Sequence, residues 1–184
     1  MKLEIFQVDA FTSVPFGGNP AAVVPLQTWL ADDLMQDIAA QNNLSETAFF
    51  VKERDRYHIR WFTPTMEVNL CGHATLASAH VIFNELELEK NSIVFHSDKS
   101  GAMGVERRDG RLVLDFPAYQ ITESEQSDAL AQALGKVPVK VWSAINDGVM
   151  VRLETEQDAR NLEPDFHALA KLEYERVYVT APGE

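Results

Sequence analysis

Three side chains in this sequence have the chemistry to move a proton: Glu46, Cys71 and His73. Cys71 is the only cysteine and sits in the turn Cys71-Gly72-His73-Ala74-Thr75. The small residues Ala74, Ala77, Ser78 and Ala79 follow at once, as at the start of a tightly packed helix. A thiol, a permissive glycine and an imidazole at such a helix start suit a small anionic ligand. First-turn N–H groups have no intrahelical acceptor and carry a partial positive charge. Glu46 comes from a separate stretch, Ser45-Glu46-Thr47-Ala48-Phe49-Phe50, where a poor strand former stands beside strongly apolar neighbours. A carboxyl pressed against apolar surface is the kind of group that can serve as a general acid or base near neutral pH.

Each of these residues also has a structural reading. Glu46 could face solvent at a strand edge, or close a capping pattern as its third residue. A helix N-terminus lowers a thiol pKa, which makes Cys71 a candidate base or nucleophile, but free cysteines mostly act as small buried hydrophobes. His73 could hydrogen-bond an anion or shuttle a proton; alternatively it is a helix-start or satisfied core histidine. His80 lies seven residues on, too far from His73 to share one ion, and no HExxH or CxxC spacing occurs, so no metal site is expected. Phe16-Gly17-Gly18-Asn19-Pro20 could hold a ligand through backbone amides or be an ordinary interstrand turn. It matches neither GxGxxG nor a P-loop, so nothing points to a nucleotide cofactor. Glu67 and Asn69 read as solvated loop positions.

The elements that must position these groups alternate between strand and helix patterns. Strands are expected over Lys2–Asp9, Ala21–Leu26, Ser45–Lys52 and Tyr57–Phe62, with a helix over Asp32–Gln41 begun by Asp32 or Asp33. A helix runs from His73 to about Glu89. Ile93–His96, Gly104–Arg107 and Leu112–Phe116 then form a meander that turns at Asp109-Gly110. From about Ala118 the pattern restarts: a short helix over Asp128–Leu134, a strand over Val139–Ala144, a loop at Asn146-Asp147-Gly148, a strand over Val149–Glu154, a helix over Asp165–Leu172 and a strand over Arg176–Thr180. The order strand, Gly/Asn loop, strand, helix, strand thus occurs twice, which suggests duplication.

Composition narrows the function classes. The chain has 184 residues, 46 % of them hydrophobic, with ten Phe and three Trp, enough for a sizeable core. The net charge of −12 and the lack of a long basic run argue against nucleic acid or an anionic membrane as partner. A single cysteine allows no internal disulfide and fits a reducing compartment. Glu4 and Asp9 interrupt the N-terminal stretch where a signal peptide needs an apolar run, and no apolar segment is long enough to span a bilayer. The expectation is a cytoplasmic protein acting on a small molecule.

Five ordered segments together resemble the phenazine-biosynthesis PhzF-like isomerase family: Val8-Asp9-Ala10-Phe11-Thr12, Phe16 to Val23, Ser45-Glu46-Thr47-Ala48-Phe49, Arg60-Trp61-Phe62-Thr63-Pro64 and Leu70 to Thr75. The resemblance implies an α+β fold like that of diaminopimelate epimerase, with two similar halves, each wrapping a mixed sheet around a central helix, and an active site in the cleft between them. Residues 1–117 would be the first such domain and residues 118–184 a partial second one, in which Val151–Leu172 matches more loosely. The family's acid–base carboxylate falls on Glu46 and its active-site histidine on His73, beside Gly72. Ser45, Asn19 and Gly18, from the same matched segments, join His73 and Gly72 as substrate-binding positions. Cys71, where related epimerases carry one of a pair of catalytic cysteines, is assigned to lining the site. No cofactor is implied.

Two departures stand out. Asn69 occupies a position that is often Asp, and the Asp-Pro-x-Thr-Gly-Ser-type segment of the family's second half does not occur. Without a second central helix, an apolar sheet face formed by Val139, Val141, Val149, Val151, Val177 and Val179 would lie open. That leads to the expectation of a homodimer, or of association with a missing C-terminal portion. It also keeps a second function in play, a non-catalytic small-molecule-binding or interaction protein.

Overall fold

The computed structural model describes residues 2–118, 120–125, 127–144 and 148–183. The chain divides into two units, Met1–Pro117 and Ala118–Glu184.

The first unit is one mixed sheet with a helix on either face. Its strands are β1 (Phe6–Ala10), β2 (Asn19–Leu26), β3 (Glu46–Glu53), β4 (Arg56–Phe62), β5 (Glu67–Val68), β6 (Ser92–Ser97), β7 (Gly101–Arg108) and β8 (Arg111–Asp115). They lie in the order β1-β2-β3-β4-β6-β7-β8, with β5 pairing β4. Only β2 with β3 and β4 with β6 are parallel. Parallel neighbours need a long crossover, and each here is a helix: α1 (Asp32–Asn42) for the first and α2 (Gly72–Val81) for the second.

Alternate strand residues point to opposite faces, and that alternation sorts the core in two. Val24, Leu26, Phe49, Val51 and Phe62 receive Met35 and Ala39 of α1. Ala21, Val23, Ala48, Phe50, Tyr57, Ile59 and Trp61 receive Ala74, Ala77, Ala79 and Val81 of α2. Seven of the ten α2 residues are buried, spread around its circumference. A helix apolar all round belongs inside, and its alanines let strands approach closely.

Five residues of π-helix, Ile82–Leu86, follow α2 and end on a hydrogen bond from the Glu87 N–H to the Ile82 carbonyl, 2.7 Å. This wider turn delivers the Glu87 carboxylate to Lys52 of β3, Tyr57 of β4 and Lys90. Those partners, Lys52 and Tyr57 foremost, hold the Glu87 carboxyl down at about 2. The helical pattern expected as far as Glu89 therefore stops earlier, where a side chain is needed inward.

The second unit contains β9 (Ile121–Glu123), α3 (Asp128–Leu134), β10 (Lys140–Ala144), β11 (Gly148–Arg152), α4 (Glu156–Arg160), α5 (Phe166–Leu169) and β12 (Arg176–Thr180), with sheet order β12-β11-β10-β9. β10 and β11 are antiparallel, while β11 and β12 are parallel and joined through α4 and α5. Ser127, Thr155 and Asp165 each cap a helix with a side-chain acceptor.

The expected open valine face is corrected here. Val141, Val149 and Val151 are buried with Leu130 and Leu134 of α3, and Val177 and Val179 pack against the same cluster with Leu162, Leu169 and Leu172. Val139 precedes β10 and stays exposed. The less covered face carries instead the cross-strand row Trp142, Met150 and Tyr178. Of the loop expected at Asn146-Asp147-Gly148, Asn146 and Asp147 lie outside the described residues. No helix among the described residues is long and apolar enough to cross a membrane.

Candidate active site

Glu46 opens β3 and shares its face with Ala48 and Phe50, the face that α2 covers. Cys71 is the residue before α2, held extended at φ −142° and ψ 113°, and Gly72 and His73 form the first turn. The sheet thus brings the carboxylate and the helix start together although they lie far apart in sequence. Glu46 Oε2 is 3.3 Å from His73 Nε2. On the other side of the ring, His73 Nδ1 is 3.4 Å from Cys71 Sγ. Cys71 and His73 are buried, whereas Glu46 keeps about 20 % of its side-chain surface in solvent and can meet a ligand.

The three groups are not equivalent. Burial is the main cause that pushes the Cys71 thiol up to about 12. The adjacent Glu46 carboxylate adds to the rise, and the Ala74 and His73 amides oppose it. At neutral pH the thiol form of Cys71 is favoured, because desolvation outweighs the effect of the helix terminus. His73 Nε2 is buried and faces Oε2 without the alignment of a hydrogen bond. Candidate catalytic contacts are commonly loose before a ligand tightens them.

The first turn of α2 adds donors. Thr75 N–H is bonded to the Cys71 carbonyl at 3.2 Å, and Thr75 Oγ1 donates to the same oxygen at 2.6 Å. The amides ahead of Thr75 have no acceptor within the helix. Gly72 sits there with room to spare, since an added Cβ would only touch the Phe116 ring at 3.7 Å.

The remaining expected residues line the starts of β2 and β3. Ser45 Oγ donates to Asn19 Oδ1 at 3.1 Å, and both lie beside Glu46 because β2 and β3 run in register from Ala21 and Glu46. Gly18 has a structural reason to be glycine. Its φ is +70°, and a Cβ would lie 2.1 Å from the Ala10 carbonyl oxygen. Phe11 and Phe16, in the same β1–β2 connection, hold left-handed backbones at φ 64° and 63° while their rings stay exposed. Bulky residues in that region are strained, and such strain gathers near functional sites. The sequence pointed to this connection through its Gly17-Gly18-Asn19-Pro20 run, but a β-strand pattern carries no sign of a left-handed Phe.

A Glu46 oxygen, the Cys71 sulfur and a His73 ring nitrogen lie within 4.8 Å of one another, which sets out a potential metal-ligand group that local spacing did not suggest. The two ring nitrogens face different partners: Nδ1 is 3.4 Å from Cys71 Sγ and Nε2 is 3.3 Å from Glu46 Oε2.

Residues 8–184 match the family model described as phenazine biosynthesis-like protein. A Pseudomonas aeruginosa protein named as an uncharacterized isomerase is 54 % identical over 183 residues, covering 100 % of this chain and 69 % of that protein. The crystal structure of a Clostridium difficile protein described as a putative phenazine biosynthesis protein superposes with a TM-score of 0.86 at 39 % identity, covering 100 % of this chain and 70 % of that one. A Pseudomonas aeruginosa protein described as a predicted epimerase shares the fold, with a TM-score of 0.71 at 20 % identity, over 97 % of this chain and 70 % of its own. The chain belongs to the phenazine biosynthesis-like protein family, and its fold is the α+β fold of the epimerases.

Proposed function

We propose that this member of the phenazine biosynthesis-like family is a cofactor-independent isomerase or epimerase that moves a proton on a small carboxylated substrate of amino-hydroxy acid type. Glu46 takes a proton from a substrate carbon and returns it at another position or on the other face. His73 and Gly72, with the Ser45–Asn19 pair and Gly18 at the neighbouring strand starts, position the substrate. The α2 first turn, whose amides have no acceptor within the helix, meets its carboxylate. Cys71, which holds its proton, is not the base. The observation that supports this reading is the approach of Glu46 to the buried His73 at a helix start, 3.3 Å, in a carboxylate that still reaches solvent.

The test is to incubate a panel of small amino-hydroxy carboxylic acids with the protein in deuterated water and follow deuterium incorporation by mass spectrometry. Glu46→Gln should lower exchange about 10²–10⁴-fold, the usual worth of a general acid–base group, without shifting the melting temperature by more than a few degrees. Undiminished exchange in that variant would remove Glu46 from the chemistry. Binding of such acids without exchange in the wild-type chain would favour the non-catalytic binding reading instead.

A further inference from the structure

The side chain of Cys71 meets the site through its sulfur, 3.4 Å from His73 Nδ1. We infer that Cys71 is a positioning residue: its S–H donates to His73 Nδ1 and so fixes the imidazole tautomer that carries its proton on Nε2, facing Glu46. This rests on the reading of Glu46 as the proton carrier.

His73 is about 92 % buried, and among the described residues the Cys71 sulfur is the only side-chain hydrogen-bond partner of its Nδ1. A neutral imidazole has one N–H and one lone pair, so whichever nitrogen receives a proton donor leaves the other to carry the hydrogen. Burial keeps the Cys71 thiol protonated at neutral pH, so the sulfur brings a donor to Nδ1. Nε2 then carries the N–H, and it is the ring nitrogen that lies 3.3 Å from Glu46 Oε2, close enough to donate once the two are aligned. In the opposite tautomer the Nε2 lone pair would face the lone pairs of the carboxylate, and neither atom could donate. The thiol therefore sets what Glu46 meets without touching a substrate. This also explains a cysteine that cannot act as a base but lies beside the residues that do the chemistry.

Glu46 also borders the sulfur and competes for its proton, and it contributes to the raised thiol. The two arrangements predict different tautomers. If S–H donates to Glu46, His73 is free to carry its proton on Nδ1.

Two-bond ¹H–¹⁵N correlation spectra of the whole chain, labelled with ¹⁵N-histidine and recorded at pH 8 without any substrate, report this directly; loss of a signal in His73→Gln assigns it. The wild type and Cys71→Ser, whose hydroxyl also donates, should each show His73 with its proton on Nε2. Cys71→Ala and the bulkier Cys71→Val, both without a donor, should lose that single-tautomer pattern and show averaged nitrogen shifts. A wild-type His73 protonated on Nδ1 would overturn the inference whatever the variants do, and so would an unchanged pattern in the donor-free variants. Because no turnover is measured, failure here is separate from failure of the Glu46 assignment.

Discussion

Strands β1, β2 and β3 and strands β10, β11 and β12 follow one plan: an antiparallel pair, then a parallel pair joined by a helical crossover. In both, the crossover side is covered, by Met35 and Ala39 in the first unit and by Leu162, Leu169 and Leu172 in the second. The other face differs. In the first unit it lies under α2, and Phe50 is 2 % exposed; in the second, Tyr178 on the matching face is 46 % exposed. The first residue of β3 on that face is Glu46, and the first residue of β12 on the matching face is the exposed Arg176. A repeated sheet alone does not make a site. The difference is the second helix, which covers the open face and brings an imidazole to the carboxylate at its edge.

The largest expected effect tests the contrast between the two faces. Phe50→Ala should cost about 3–5 kcal/mol in urea unfolding, the range for a buried aromatic. Tyr178→Ala should stay within about 0.5 kcal/mol, as for a surface substitution. Equal costs would mean that both faces are covered alike.

A smaller effect separates two glycines of the first unit. Gly18→Ala should destabilise by about 1–3 kcal/mol, because it combines a left-handed backbone with a Cβ driven into the Ala10 carbonyl. Gly72→Ala, with open space around it, should leave the melting temperature within a few degrees. Weakened binding of small carboxylic acids by that variant would then mark the helix start as the ligand's seat.

The last effect is absent at neutral pH and appears only in alkali. The Cys71 thiol is raised in the folded chain from an ordinary 9.0 to about 12. Below pH 9 both states hold the proton and nothing is lost. As pH rises from 9 toward 12 the unfolded chain releases it first, so stability falls. Hydrogen exchange should show that fall in the first unit, which holds the thiol, and Cys71→Ala should flatten it. An identical fall in Cys71→Ala would assign it to other groups.

Much of this contrast was legible in the sequence. Asp128–Leu134 and Arg176–Thr180 form with the limits that their patterns predict, and the repeated order of elements is present in the topology. Short elements escaped: Glu67–Val68, Ile121–Glu123 and Glu156–Arg160 are too brief to display a period. The first strand starts at Phe6 rather than Lys2; continuing its register with β2 would set Glu4 opposite Pro25, which has no N–H to give. The valines of the second sheet were placed on the wrong face because alternation shows that two faces differ but not which one a helix covers. At the site, residue types pointed to Glu46, Cys71 and His73. Their meeting depends on a β3–α2 approach that no local pattern encodes.

The enclosure of α2 has a consequence for motion. A helix ringed by strands cannot peel away sideways, so most of its amides should exchange with solvent only when the whole first unit unfolds. Its first turn is the exception, since the amides before Thr75 have no intrahelical bond to break. Those first-turn amides should therefore exchange faster than the rest of the helix, and a ligand seated on them would slow that exchange.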